Sequence, residues 1–163
     1  MVVQIPLTRG FVALLDEEDL DLVLAAGTWC AAPRSNTVYA LRATRRPDGR
    51  PTTMYLHRFL TGWERVDHMN GDGLDNRRAN LRPATRSENG RNSRRRVDNT
   101  SGYKGVVFDK PRGKWRSRIR VDDGRIHLGM FTDPIAAARA YDAAALEHHG
   151  EFASLNFPEE DAA

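Results

Sequence analysis

The chain is short of the features that would place it in several large protein classes. It has a single cysteine, Cys30, among 163 residues, which excludes an internal disulfide framework and a zinc site built on cysteine thiolates. Cys30 itself reads as a small buried apolar residue. No run approaches the roughly 20 apolar residues of a membrane span, and the N-terminus lacks a secretory-signal pattern. These gaps predict a soluble, cytoplasmic protein of a reducing compartment, with no membrane partner. Net charge is also small, at +3, so bulk charge alone identifies no partner.

What the chain does have is unevenly spread. Residues 82–128 hold fourteen of the 25 Lys and Arg against five acids, which leaves the remainder net acidic. Such asymmetry suggests one face made for a polyanion. A hydrophobic share of 40% suits a modest core, and the length suits one ordinary domain or two small ones. In residues 1–53 a small β-rich subdomain is expected. Phe11 to Leu15 read as a strand, and Leu20 to Leu24 as a short helix closed by Gly27. Thr37 to Leu41 and Thr53 to Leu56 read as strands around the Pro47-Asp48-Gly49 turn. Trp29 and Trp63 read as core anchors.

Between residues 64 and 92 apolar periodicity fails, and Asn, Asp, Gly and Arg take over. A free loop of that length would be unusual, so a compact element held by side-chain hydrogen bonds is expected. At its centre stands Val66-Asp67-His68-Met69-Asn70-Gly71-Asp72. Asp67 offers an oxygen ligand for a hard cation beside a base, His68, that titrates near neutrality. Asn80 follows His68 by twelve residues and Asn89 follows by nine more; an amide oxygen on a following helix could complete a metal shell. That is the minimum equipment for metal-assisted hydrolysis of a phosphodiester. Thr85 or Ser87 would cap the helix carrying Asn89. Asn76 and Asn80 read as satisfying loop backbone groups. His57 reads as a packing and hydrogen-bonding residue, and His148 and His149 as groups favouring the end of a helix.

Residues 93–100 contain Arg94-Arg95-Arg96 and no apolar period, which predicts a basic linker. Three strand-like runs follow at 103–108, 114–121 and 125–131. After them comes a helix with Asp133 as N-cap, Pro134 at its first position and Gly150 beyond its end. A three-stranded antiparallel sheet packed on one alanine-rich helix is the expected architecture, so the whole chain is α+β. In the second run Lys114, Arg116, Arg118 and Arg120 point one way, and Trp115, Ser117, Ile119 and Val121 the other. Arg125 and His127 continue the basic face, opposite Ile126 and Leu128. Such a ribbon can enter the DNA major groove.

Two resemblances rest on these residues. Residues 101–158 resemble the DNA-binding domain of plant APETALA-type and ethylene-response transcription factors. The matching residues are Tyr103-Lys104-Gly105-Val106, Gly113-Lys114-Trp115, Ile119-Arg120, Leu128-Gly129, Ala140-Tyr141-Asp142 and Leu155-Asn156-Phe157-Pro158. In that family strand-borne Arg and Trp side chains read bases and grip phosphates. Carried over, Lys104, Arg118, Arg120, Arg125 and His127 occupy such positions, with Lys114 and Arg116 on the same face and Arg112, in the preceding turn, as a further DNA contact. Val107, Asp109, Arg118 and His127 depart from the plant pattern, so the plant sequence preference does not transfer.

Residues 54–92 resemble the HNH endonucleases of phage and intron-encoded homing type. The resemblance lies in Tyr55-Leu56-His57-Arg58, Val66-Asp67-His68-Met69-Asn70-Gly71, Leu74-Asp75-Asn76-Arg77, Asn80-Leu81 and Ser87-Glu88-Asn89. It implies a ββα-metal motif around one divalent ion, Mg²⁺ or Mn²⁺. It also implies His68 as general base, Asp67 and Asn89 as metal ligands, and Asn80 as the residue that pins the loop and orients His68. The joint reading is a divalent-metal-dependent endonuclease acting on double-stranded DNA in the host cell of a phage or mobile element. It would nick as a monomer, with a dimer as the route to a double-strand break, leaving 5′-phosphate and 3′-hydroxyl ends. Arg94, Arg95 and Arg96 would follow the backbone, and 159–163 would form an acidic tail. The rival readings are a catalytically inactive DNA-binding regulator and an RNA-directed nuclease.

Overall fold

The computed structural model describes residues 1–158 apart from positions 94, 96, 97 and 123, and it divides into two compact units, Met1–Thr85 and Arg86–Ala163. Arg94, Arg96 and the tail 159–163 therefore lie outside the described residues. The elements are mixed α+β, and no described helix is long and apolar enough to cross a membrane.

The first unit opens with a hairpin of β1 (Val2–Pro6) and β2 (Val12–Asp16). Its register sets Ile5 across from Ala13 and Val3 across from Leu15. Facing partners share one side of the ribbon, and Ile5, Ala13 and Leu15 are all buried. The helix α1 (Leu20–Ala25) adds Val23, whose carbonyl accepts from Trp29 Nε1 at 3.0 Å. A meander of β3 (Cys30–Pro33), β4 (Val38–Arg45) and β5 (Pro51–Tyr55) follows, in spatial order β3-β4-β5. The helix α2 (Leu56–Thr61) takes over directly after β5 and ends on Gly62, in the left-handed region at φ 70°. Leu56, His57 and Leu60 share its buried face, and that packing overrides the extended reading of Leu56.

One expectation fails here. Trp29 is buried as expected, but Trp63, just past the Gly62 cap, is 39% exposed. The strands β1 and β3 carry no clear sequence signal because each is short and ends in proline, which reads as a terminator.

The last pair of the unit, β6 (Val66–His68) and β7 (Leu81–Pro83), is antiparallel and carries residues 69–80 as its connection. That connection is tied down rather than free. Leu14 of β2 bridges to it in parallel, with Leu14 N–H donating to Leu74 C=O and Asn76 N–H to Leu14 C=O, both at 2.8 Å. Gly73 is required by close approach: a Cβ there would lie 2.6 Å from both the Tyr39 ring and the Val38 carbonyl.

The second unit begins with α3 (Arg86–Asn92). Its sheet has the order β10-β9-β8, from β8 (Val106–Asp109), β9 (Lys114–Val121) and β10 (Gly124–Phe131), and α4 (Pro134–His149) covers one side. Asp133 caps α4 by accepting from Ala136 N–H at 2.8 Å, as the sequence predicts. Val106 and Ile119 pack against Ala137, Ala138, Tyr141, Ala144 and Ala145. Gly105, at φ 79°, has no room for a Cβ against the Tyr141 ring. The first strand starts at Val106 rather than Tyr103 because Asn99 and Ser101 side chains bind the backbone of 101–106 in a turn. Buried Asp142 accepts from the backbone N–H groups of Asn156 and Phe157, docking the segment after α4.

Candidate active site and nucleic-acid interface

Asp67 stands directly across from Arg82 in the β6–β7 pairing. Arg82 donates to its Oδ2 from Nε at 2.9 Å and from Nη2 at 2.7 Å. Both side chains are largely buried, the guanidinium side 11% exposed and the carboxylate 8%. A buried carboxylate needs such a partner, and the guanidinium fixes its orientation. Arg82 is a residue that sequence reasoning missed; only the hairpin register puts it opposite Asp67.

His68 is buried at the end of β6. Its Nε2 lies 3.4 Å from Asn76 Oδ1. The Asn76 amide is itself oriented, since its Nδ2 donates to Leu74 C=O at 3.0 Å. Oδ1 therefore accepts, His68 Nε2–H donates, and the lone pair of the neutral ring falls on Nδ1. Burial lowers the His68 pKa, outweighing the raising effects of Asn76, Asp67, Asp72 and Asp75. At neutral pH the imidazole is thus a base.

Around that ring stand other rings. His57 meets it edge to face at 5.0 Å, and Tyr39 lies 5.8 Å away. His57 is stacked on Tyr55 at 5.4 Å, and burial lowers its pKa to about 3. It is the packing residue expected, but its buried Nδ1 has no hydrogen-bond partner.

The expected bond from Asn80 to His68 is made instead by Asn76. Asn80 pins the loop: its Oδ1 accepts from Asn70 N–H at 3.0 Å, and its Nδ2 donates to Asp75 C=O at 2.8 Å. Asp75, 2% exposed, accepts from Asn70 Nδ2 at 2.8 Å and from Arg77 at 2.7 and 2.6 Å. The Arg77 hydrogen bonds hold its carboxyl below the usual range. Arg78 is bound to buried Asp19 at 2.9 and 2.7 Å, and its N–H donates to Asp16. The acidic stretch after β2 thus has a use that sequence alone did not show.

Among the described residues no three His, Cys, Asp or Glu side chains stand together as a cation cage. The metal donors expected are instead one carboxylate, Asp67, and one amide oxygen, Asn89 on α3. A carboxylate offers about four lone-pair positions, so a guanidinium and a cation can share it. Asp67 belongs to the first unit and Asn89 to the second, and each is an oxygen donor of the kind a hard divalent ion takes.

In the second unit β9 alternates as expected: Ser117 and Ile119 are buried, while Lys114 and Arg120 are exposed. Register sets Arg125 across from Arg120 and His127 across from Arg118, so two basic pairs share one face. Arg112, Arg116, Arg118, Arg125 and His127 line a depression of about 420 Å³. Four details differ from expectation. A bulge between His127 and Gly129 shifts the register, and Ile126 is 39% exposed instead of packed inward. The face is not purely cationic, because Asp109 pairs with Arg112 at 3.1 Å and approaches Arg116 at 4.0 Å. Lys104 does not join the face: its ammonium donates to Arg91 and Ser93 carbonyls, both at 2.6 Å, and burial lowers its pKa to about 8. Arg95 is on a surface segment, where Nη1 donates to Asn99 C=O at 3.5 Å. His149 is buried with a lowered pKa, so it is a neutral packing residue rather than a helix-end cation.

These geometries agree with what the chain resembles elsewhere. A family model described as HNH endonuclease matches residues 62–91, the segment holding β6, β7 and most of α3. A rice (Oryza sativa subsp. japonica) AP2/ERF and B3 domain-containing protein is 51% identical over 59 residues, 36% of this chain and 16% of the relative. APETALA2-like protein 2 of Oryza sativa subsp. indica is 43% identical over 58 residues, 36% of this chain and 13% of the relative. The chain therefore spans only a small part of these plant relatives. Protein 3.8 of Escherichia phage T7 is 33% identical over 88 residues, 54% of this chain and 72% of the phage protein. With the polar β6–β7 connection around His68 and the basic sheet beyond it, the chain belongs to the family of phage T7 Protein 3.8, joining an HNH endonuclease domain to a region similar to AP2/ERF DNA-binding segments.

Proposed function

We propose that the protein is a divalent-metal-dependent DNA endonuclease that nicks duplex DNA at sites selected by its basic sheet. The observation that carries this reading is His68: a buried, neutral imidazole oriented by Asn76 and adjacent to an Arg82-held carboxylate. His68 Nδ1 takes the proton from a water attacking the phosphorus, which is general-base chemistry. Asn76 keeps Nε2–H engaged, which assigns the proton-accepting role to Nδ1. Asp67 and Asn89 would hold the metal. Once bound, a divalent ion supplies charge neutralisation on the scissile phosphate and the departing 3′ oxygen. The products are a 5′-phosphate and a 3′-hydroxyl. Asn80 acts one step back, holding Asn70 and the Asp75 backbone so that the connection keeps its shape.

Target selection falls to Lys114, Arg116, Arg118, Arg120, Arg125 and His127, with Arg112 at the rim. Cations on one strand face repel one another unless a polyanion is present. The linker arginines Arg94, Arg95 and Arg96 extend the electrostatic track. The test is nicking of supercoiled plasmid with Mg²⁺ or Mn²⁺, comparing wild type, His68→Ala and an EDTA control. Open-circular product from wild type alone supports the reading. Equal product from both proteins overturns the assignment of the base. DNA binding without any nicking on target-containing DNA would favour the regulator.

A further inference from the structure

The second unit holds a second cavity, of about 610 Å³. Arg86 and Arg91 of α3, Lys104, Arg120 and His149 line it, and among the described residues Asp122 is its one acidic lining group. Asp122 is already engaged by Arg91 at 2.7 Å and is itself largely exposed. The lining is thus cationic well beyond what its own acid offsets.

Two of these groups are placed as stability alone would not place them. The Lys104 ammonium is half-buried on two main-chain carbonyls, with no carboxylate paired to it among the described residues. Arg91 engages Asp122 through Nη2, yet its buried Nε is unpartnered. Burying a cation without a counter-charge is costly, and native structures leave few buried polar atoms unsatisfied. An oxyanion in the cavity offsets both cations at once.

We propose that this cavity is a phosphate-binding site, distinct from the strand face, in which Arg86, Arg91 and Lys104 receive a phosphate group. The group has two potential sources: a backbone phosphate of bound DNA, or a free or small-molecule phosphate. The ionic lining fits either. The proposal does not depend on the nuclease reading, because nothing in it uses His68 or a metal.

The experiment is calorimetric titration of the full-length chain with inorganic phosphate at constant ionic strength, for wild type, Arg86→Gln and Lys104→Gln. Wild type should bind, and each variant should lose about tenfold in affinity, the size of one hydrogen bond to a charged group. Arg86 is exposed, so Arg86→Gln tests the charge without disturbing the core, and thermal melting checks the fold of Lys104→Gln. The titration is then repeated on the protein saturated with duplex DNA. Loss of phosphate binding in the complex supports the DNA backbone as source, and retained binding supports a free phosphate. No binding by wild type, or equal binding by Arg86→Gln in a folded protein, overturns the site.

Discussion

The two units are built from the same alphabet but held by different forces. In the second, period-two alternation along β9 and small residues on α4 make a sheet and helix whose cohesion is apolar: Ile119 and Val106 against the alanine face. In the first, the connection 69–80 has little apolar content, and polar side chains hold it in place: Asn76 and Asn80 donate to backbone carbonyls, Asp75 accepts from Arg77, and Arg78 donates to Asp19. Apolar packing tolerates substitution of similar volume. A buried polar network does not, because each unmade bond exposes the full desolvation penalty of its partner. The contrast is therefore one of fragility as well as function.

The sharpest break of that contrast is at the proposed base, His68. His68→Ala should slow nicking by roughly 10² to 10⁴-fold while DNA affinity stays nearly unchanged; a gel-shift assay beside the plasmid assay separates the two, and parallel loss of binding would sink the role. Next comes the Asp67–Arg82 pair. Arg82→Ala takes the guanidinium away from the buried Asp67 carboxylate and should cost about 3–5 kcal/mol, read by urea unfolding; a cost below about 1 kcal/mol would mean the pair behaves as a surface bridge. Gly73→Ala drives a Cβ into Tyr39 and the Val38 carbonyl and should cost about 1–3 kcal/mol by the same measurement, with no penalty expected at Gly90, which has open space around it.

Acid sharpens the comparison further. His57 has its folded pKa lowered to about 3 from 6.5, so between those values the unfolded chain binds the extra proton. Its contribution to stability is fully present above about pH 6.5 and is lost as pH falls toward about 3. Melting of the wild type against His57→Gln over that range should show the acid sensitivity shrinking in the variant; identical curves would point to other groups. The smallest expected effect lies in the second unit. Removing the charges of Arg118 and Arg120 should reduce the log–log salt slope of DNA binding by about 0.9 for each phosphate no longer neutralised. An unchanged slope with altered sequence preference would move these residues from phosphates to bases.

Much of the fold is legible in the sequence, for reasons that differ by region. The Asp133 cap, the β9 alternation and the small-residue face of α4 are local signals, and all appear where expected. The Trp63 and Lys104 expectations fail because burial is decided by neighbours far along the chain. Trp63 sits beyond the Gly62 cap, outside the core, and Lys104 finds the Arg91 and Ser93 carbonyls before any surface position.

By itself the sequence determined the polarity of each segment, the order Asp67, His68, Asn80, Asn89, and the charge of one strand face. Those depend only on residue type and spacing. Tertiary structure alone decided that Asn76 rather than Asn80 orients His68, that Arg82 holds Asp67, and that Asp109 sits among the arginines. Those pairings follow from strand register and loop closure. A one-residue change of register turns every side chain to the opposite face, so which donor meets which acceptor is fixed only when the chain has folded.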